Sequence, residues 1–209
     1  MRIEEILELA PVMPVVVIDD PAHAVPMARA LVAGGLKAIE VTLRTPAALG
    51  AIAAIAAEVP DAVVGVGTVL SIQDIRAAAD AGARFAVSPG ATPALLDAAR
   101  MGPLPYLPAI ATASELMAGL ERGYSVFKVF PAASVGGPAA LRALAGPFPA
   151  ARFCPTGGID AASAPGYLAL ESVLCVGGSW VAPKEALASG DFATIERLAR
   201  EASGLRGKG

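Results

Sequence analysis

Apolar and polar positions along the chain fall into two patterns that take turns. Short runs rich in Val, Ile, Ala and Phe, bounded by Gly, Pro or Asp, read as strands. They cover 12–18, 38–42, 63–68, 85–88, 106–109, 125–130, 152–155 and 173–177. Between them, apolar residues recur at helical spacing. Asp20 with Pro21 opens a helix that runs to 33 and stops at Gly34-Gly35. Further helices are predicted over 46–59, 71–82, 92–100, 112–122, 138–145, 161–170 and 192–202. Glu4, Glu5 and Glu8 among Ile3, Ile6, Leu7 and Leu9 add an amphipathic helix at the N-terminus, which is not a signal peptide.

Strands that alternate with helices imply a parallel sheet, and eight such units imply a closed barrel. The expected fold is α/β: a single-domain (β/α)8 TIM barrel over 1–209 with an extra N-terminal helix and a frayed Gly-rich tail at 204–209. An open doubly wound sheet is the rival, but no G-x-G-x-x-G follows the first strand.

The composition suits a sheet buried on both faces, at 55% hydrophobic and 17% charged residues. A mean hydropathy of +0.61 hints at further burial in an oligomer. A membrane span is not expected, because the longest uncharged stretch, 101–114, is short of ~18 residues and carries three prolines. A net charge of −3 argues against a nucleic-acid surface, so an anionic ligand must be held by local groups. Cys154 and Cys175 read as buried reduced thiols of a cytosolic protein. One histidine, His23, and two scattered cysteines offer neither a triad nor a metal site.

The chemistry concentrates on Phe127-Lys128-Val129-Phe130-Pro131, a buried strand around one of only four lysines. Burying an ammonium among apolar neighbours is costly and favours the neutral amine, a nucleophile that forms Schiff bases with carbonyls. A lysine that snorkels out from the strand end is the plainer alternative. Barrel active sites lie at the C-terminal ends of strands, and those ends carry the polar residues. Glu40 sits inside the apolar run Ala38-Ile39-Glu40-Val41, where it acts either as half of a buried pair with Lys128 or Arg44, or as a general acid/base. Arg44 follows in a loop, suited to a carboxylate or simply to the surface. Thr68 could join it at that carboxylate. Thr156-Gly157-Gly158 and Gly177-Gly178-Ser179 follow the last two strands. That is where these barrels often bind phosphate, although two tight turns would read the same way. Together the groups suit imine formation with a 2-keto acid and cleavage of a carbon–carbon bond.

Glu40-Val-Thr-Leu-Arg44-Thr45, Gly65-Val-Gly-Thr68, Phe127-Lys128-Val-Phe130-Pro131-Ala132, Phe153-Cys-Pro-Thr156-Gly157-Gly158 and Gly177-Gly178-Ser179-Trp180 together resemble the 2-keto-3-deoxy-6-phosphogluconate (KDPG) aldolase family, which includes enzymes that also cleave 4-hydroxy-2-oxoglutarate. The resemblance implies a cytoplasmic class I aldolase, usually a homotrimer, needing no metal or organic cofactor. It would split KDPG into pyruvate and glyceraldehyde 3-phosphate in the Entner–Doudoroff pathway. By that likeness Lys128 carries the Schiff base and Glu40 moves protons. Arg44 and Thr68 bind the pyruvate carboxylate, and Gly157, Gly158, Gly178 and Ser179 bind phosphate. Phe130 and Pro89 line the pocket. Thr156 meets the substrate's hydroxyl end and favours the gluconate over the galactonate series. Ala109 and Ala111 stand where relatives often show glycine and serine. A phosphosugar isomerase or epimerase on the same barrel, or a non-catalytic phosphate binder, are the competing readings.

Overall fold

In the computed structural model, which describes residues 1–206, the β-branched runs become strands and helices follow them. The strands are β1 (Val12–Val16), β2 (Ala38–Thr42), β3 (Val63–Gly67), β4 (Ala86–Val87), β5 (Tyr106–Leu107), β6 (Ala109–Ile110), β7 (Val126–Val129), β8 (Arg152–Pro155) and β9 (Val176–Gly178). Every pairing is parallel, in the runs β5-β4-β3-β2-β1-β9 and β6-β7-β8. β5 and β6 are halves of one barrel strand. Pro108 between them has no N–H to donate, and pairing passes there from β4 to β7. Single bridges Phe153–Val173 and Thr156–Gly177 join β8 to the chain entering and forming β9, which closes the ring.

Strand alternation sorts the side chains into two cores. Outward residues such as Ile39, Val41, Val64, Val66, Phe127 and Val129 pack under the surrounding helices. Inward residues Met13, Ala38, Val63, Phe85, Val126, Cys154 and Cys175 fill the barrel. The helix α1 (Ile3–Leu7) adds Ile6 and Leu7 to this inner cluster and so plugs the N-terminal end. Further along the strands the inward positions turn polar, with Glu40, Thr42, Lys128 and Thr156 all buried.

The outer helices are α2 (Ala24–Ala33), α3 (Ala48–Glu58), α4 (Ile72–Asp80), α5 (Pro93–Arg100), α6 (Ala113–Glu121), α7 (Gly137–Ala145), α8 (Ala164–Leu168), α9 (Lys184–Ser189) and α10 (Phe192–Ser203). Ser71 and Thr112 cap α4 and α6 with reciprocal bonds from Asp74 and Glu115. The expected strand 12–18 stops at Val16, because hydroxyls take over its carbonyls: Thr42 donates to Val16 at 2.9 Å and Thr45 to Ile18 at 2.5 Å. The expected helix 161–170 shrinks to α8, since Asp160 first ties down Ser163 in a turn. Helix α9 has no counterpart in the sequence reading. In the tail expected to fray, Gly204–Arg206 forms a 3-10 turn whose Leu205 packs on the outer core; 207–209 lie outside the described residues. No described helix is long and apolar enough to cross a membrane.

Candidate active site

Glu40 and Lys128 sit on β2 and β7, which face each other across the ring of strands. The inward turn of each side chain brings Lys128 Nζ to 3.0 Å from Glu40 Oε1 and 3.3 Å from Oε2. Their side chains are 6% and 1% exposed. Two charges so far from water persist only as a well-made pair, and this one is bidentate. Glu40 thus takes Lys128 and not Arg44 as its partner, and Lys128 does not snorkel to bulk solvent. Lys128 Nζ also lies 5.6 Å from the centre of the Phe130 ring.

Glycine makes the room. A Cβ on Gly67 would stand 2.2 Å from Glu40 Oε1, and one on Gly65 would stand 2.4 Å from the Phe85 ring. Thr68, next in the chain, is held at φ 60°, the single described non-glycine residue with positive φ. Such strain in a threonine is uncommon and gathers at functional sites.

Phe130 also lines a cavity of about 370 Å³ at the C-terminal ends of the strands. Arg44, Thr156, Gly157, Gly158, Gly178 and Ser179 share its wall, with Val15, Val17, Ile159 and Gly177. Nine residues were singled out from the sequence as flanking or binding groups, and seven of them meet here. Thr68 and Pro89 stand just past β3 and β4 on the same rim and do not border this cavity. Val15 and Val17 were not singled out, because an apolar strand residue carries no chemical signal. Arg44 is exposed and, among the described residues, makes no ion pair or hydrogen bond.

The glycine turns are shaped by packing as well as by conformation. Gly157 and Gly158 adopt φ 99° and 71°. A Cβ on Gly177 would lie 2.3 Å from Thr156 Oγ1, and one on Gly178 would lie 1.7 Å from Trp180 Cζ3. Among the described residues the N–H groups of Gly158 and Ser179 meet no backbone or side-chain acceptor. Two N–H groups without an acceptor and an unpartnered guanidinium thus face one cavity in a chain of net negative charge.

A model of the aldolase family described as KDPG and KHG aldolase matches residues 3–198. The KHG/KDPG aldolase of Escherichia coli K12 is 57% identical over 199 residues, spanning 95% of this chain and 93% of that protein. A crystal structure of KDPG aldolase from Legionella pneumophila, with pyruvate captured at low pH as a covalent carbinolamine intermediate, is 44% identical. It superposes with a TM-score of 0.95 over 97% of this chain and 98% of its own. The Zymomonas mobilis ZM4 KDPG aldolase, solved with 3-phosphoglycerate, is 51% identical with a TM-score of 0.92, covering 97% and 95% of the two chains.

Proposed function

The chain belongs to the KDPG and KHG aldolase family, and from that membership we propose a role for each residue of the site. The enzyme is a class I aldolase that cleaves KDPG to pyruvate and D-glyceraldehyde 3-phosphate through a Schiff base. The buried Lys128–Glu40 contact at 3.0 Å carries the reading, because it places an amine and a proton acceptor in direct contact, away from bulk water.

A proton passes from Nζ to Glu40, and the freed amine attacks the C2 ketone to form a carbinolamine. Glu40 returns the proton as water leaves, which gives the iminium. The Glu40 carboxylate then takes the proton of the C4 hydroxyl. The C3–C4 bond breaks, its electron pair flows into the iminium, and glyceraldehyde 3-phosphate departs. Glu40 gives that proton to C3 of the remaining enamine, and water hydrolyses the resulting iminium to pyruvate and free Lys128. An isomerase or epimerase would not need the lysine as nucleophile.

Arg44 holds the pyruvate carboxylate with its planar fork, helped by the Thr68 hydroxyl. Gly157, Gly158, Gly178 and Ser179 hold the phosphate, a reading supported by the 3-phosphoglycerate in the Zymomonas relative. Phe130 and Pro89 flank the reacting carbons, and Thr156 meets the hydroxyl end in the gluconate configuration. Cleavage of 4-hydroxy-2-oxoglutarate is a second activity, favoured by the double name of the E. coli relative. Comparing the two cleavage rates ranks them. The protein works as a single-domain subunit of a homotrimer, testable by sedimentation. Its place is the cytoplasm, in keeping with two unlinked buried thiols 3.5 Å apart.

Borohydride with pyruvate tests the central claim. Peptide mass should show a reduced adduct on Lys128, absent in Lys128→Ala; recovery of unmodified Lys128 would sink the assignment. Glu40→Gln should slow turnover by roughly 10²–10⁴ while some trapping persists.

A further inference from the structure

A second cavity, of about 550 Å³, adjoins the first, and Ser179 and Arg44 border both. Gly178 belongs to the wall of the first and Trp180 to the wall of the second. The contact between these two residues is close. Cζ3, Cε3 and Cη2 of the indole would stand 1.7, 2.2 and 2.7 Å from a Cβ on Gly178. The six-membered ring of Trp180 therefore fills the place where any other residue at 178 would put its side chain.

Gly178 is the last residue of β9, in register with Pro14. Beyond it the chain leaves the sheet. Ser179 is exposed, and its N–H has no acceptor among the described residues. Gly178 is held on its near side by pairing with Pro14, and the Ser179 carbonyl accepts from the Ala182 N–H at 3.1 Å, so the part of this segment without a partner is the Ser179 N–H, next to the residue type freest to turn. The half-buried indole is the rigid body laid against this segment.

We propose that Trp180 is a positioning residue for the phosphate end of the substrate: its ring fixes the Gly178-Ser179 peptide so that the Ser179 N–H and hydroxyl point into the first cavity. This rests on reading the glycine turns as the phosphate site. The ring contacts the turn and not the reacting atoms. Removing it loosens the grip on phosphate and leaves imine chemistry at Lys128 as it was.

The test separates the two ends. KM and kcat for KDPG are measured for Trp180→Ala and Trp180→Phe. In parallel, exchange of the pyruvate methyl protons with deuterated solvent is followed by NMR; this needs the enamine at Lys128 but no phosphate. Trp180→Ala should raise KM for KDPG by about tenfold, the scale of one lost hydrogen bond to a charged group, with exchange unchanged. Trp180→Phe puts a smaller ring back over Gly178 and should recover most of that loss. If Trp180→Ala misfolds, Trp180→Phe carries the test alone, with a smaller rise in KM and unchanged exchange. An unaltered KM, equal losses in KM and exchange, or no recovery with phenylalanine would overturn the proposal. Ser179→Ala is the control: if it too leaves KM for KDPG unaltered, the phosphate reading itself fails. If it raises KM while Trp180→Ala does not, only the role of Trp180 falls.

Discussion

Gly67 decides where the Glu40 carboxylate can lie. The carboxylate occupies the space a side chain at 67 would need, with Oε1 at 2.2 Å and Cγ at 2.6 Å from the missing Cβ. Buried atoms cannot interpenetrate, so Gly67→Ala must swing Glu40 away and lengthen its bond to Lys128. Turnover of KDPG should then fall by at least about 10², into the range of Glu40→Gln, with the pyruvate adduct still trapped. Wild-type turnover in Gly67→Ala would show that the carboxylate does not need its present position. The burial of Glu40 and Lys128 against each other was legible in the sequence, because each interrupts an apolar strand and a buried charge requires a partner. The reason for Gly67 was not: a glycine in a strand signals close approach without naming what approaches. The same holds for Gly178, whose neighbour is two residues away and emerges only from the turn between them.

At the level of elements, legibility followed local rules. The limits of β2 and β8 match the sequence reading, and Ser71, Thr92 and Thr112 cap the helices they were expected to open. Helix α9 was missed because it is six residues between Pro183 and Gly190, too short to show a period. Its stability comes from Ala186 and Leu187, which are buried in the outer core. The proline-marked strand at β5–β6 also depends on neighbours. Tyr106 of β5 stacks edge-on against Tyr124, 6.0 Å between centroids, and Tyr124 Oη donates to the Leu96 carbonyl of α5 at 2.7 Å. Burial pushes the Tyr124 phenol up to about 12, and that of Tyr106 higher still. In the unfolded chain both titrate near ~10. Between about pH 10 and pH 12 the unfolded state therefore holds fewer protons than the folded one, so stability falls as pH rises through that window. Urea midpoints measured across it should drop in the wild type and drop less in Tyr124→Phe. Equal slopes would mean that Tyr124 does not sense the folded state.

For the whole molecule, the barrel has a structural end and a chemical end, and the strand direction separates them. On three strands a buried apolar inward residue is followed two positions further along by a polar one: Ala38 precedes Glu40, Val126 precedes Lys128, and Cys154 precedes Thr156. The closed parallel ring makes this gradient, since every strand points the same way. Eight strand–helix units in the sequence were enough to expect the ring, but not to expect that α1 seals its lower end. Leu7, 1% exposed, belongs to that seal with Ile6, Met13 and Phe85. Leu7→Ala removes buried atoms where neighbours from several strands are fixed by the sheet and relax little, so it should destabilise the fold by about 2–5 kcal/mol. Because the cavity lies at the opposite end of the barrel from this apolar layer, KM and kcat of the folded fraction should stay at wild-type values. Urea unfolding gives the first quantity, and steady-state cleavage of KDPG well below the midpoint gives the second. A variant that keeps its midpoint would show α1 to be no part of the core. One that keeps its midpoint shift but also loses affinity for substrate would show that the two ends of the barrel are mechanically joined.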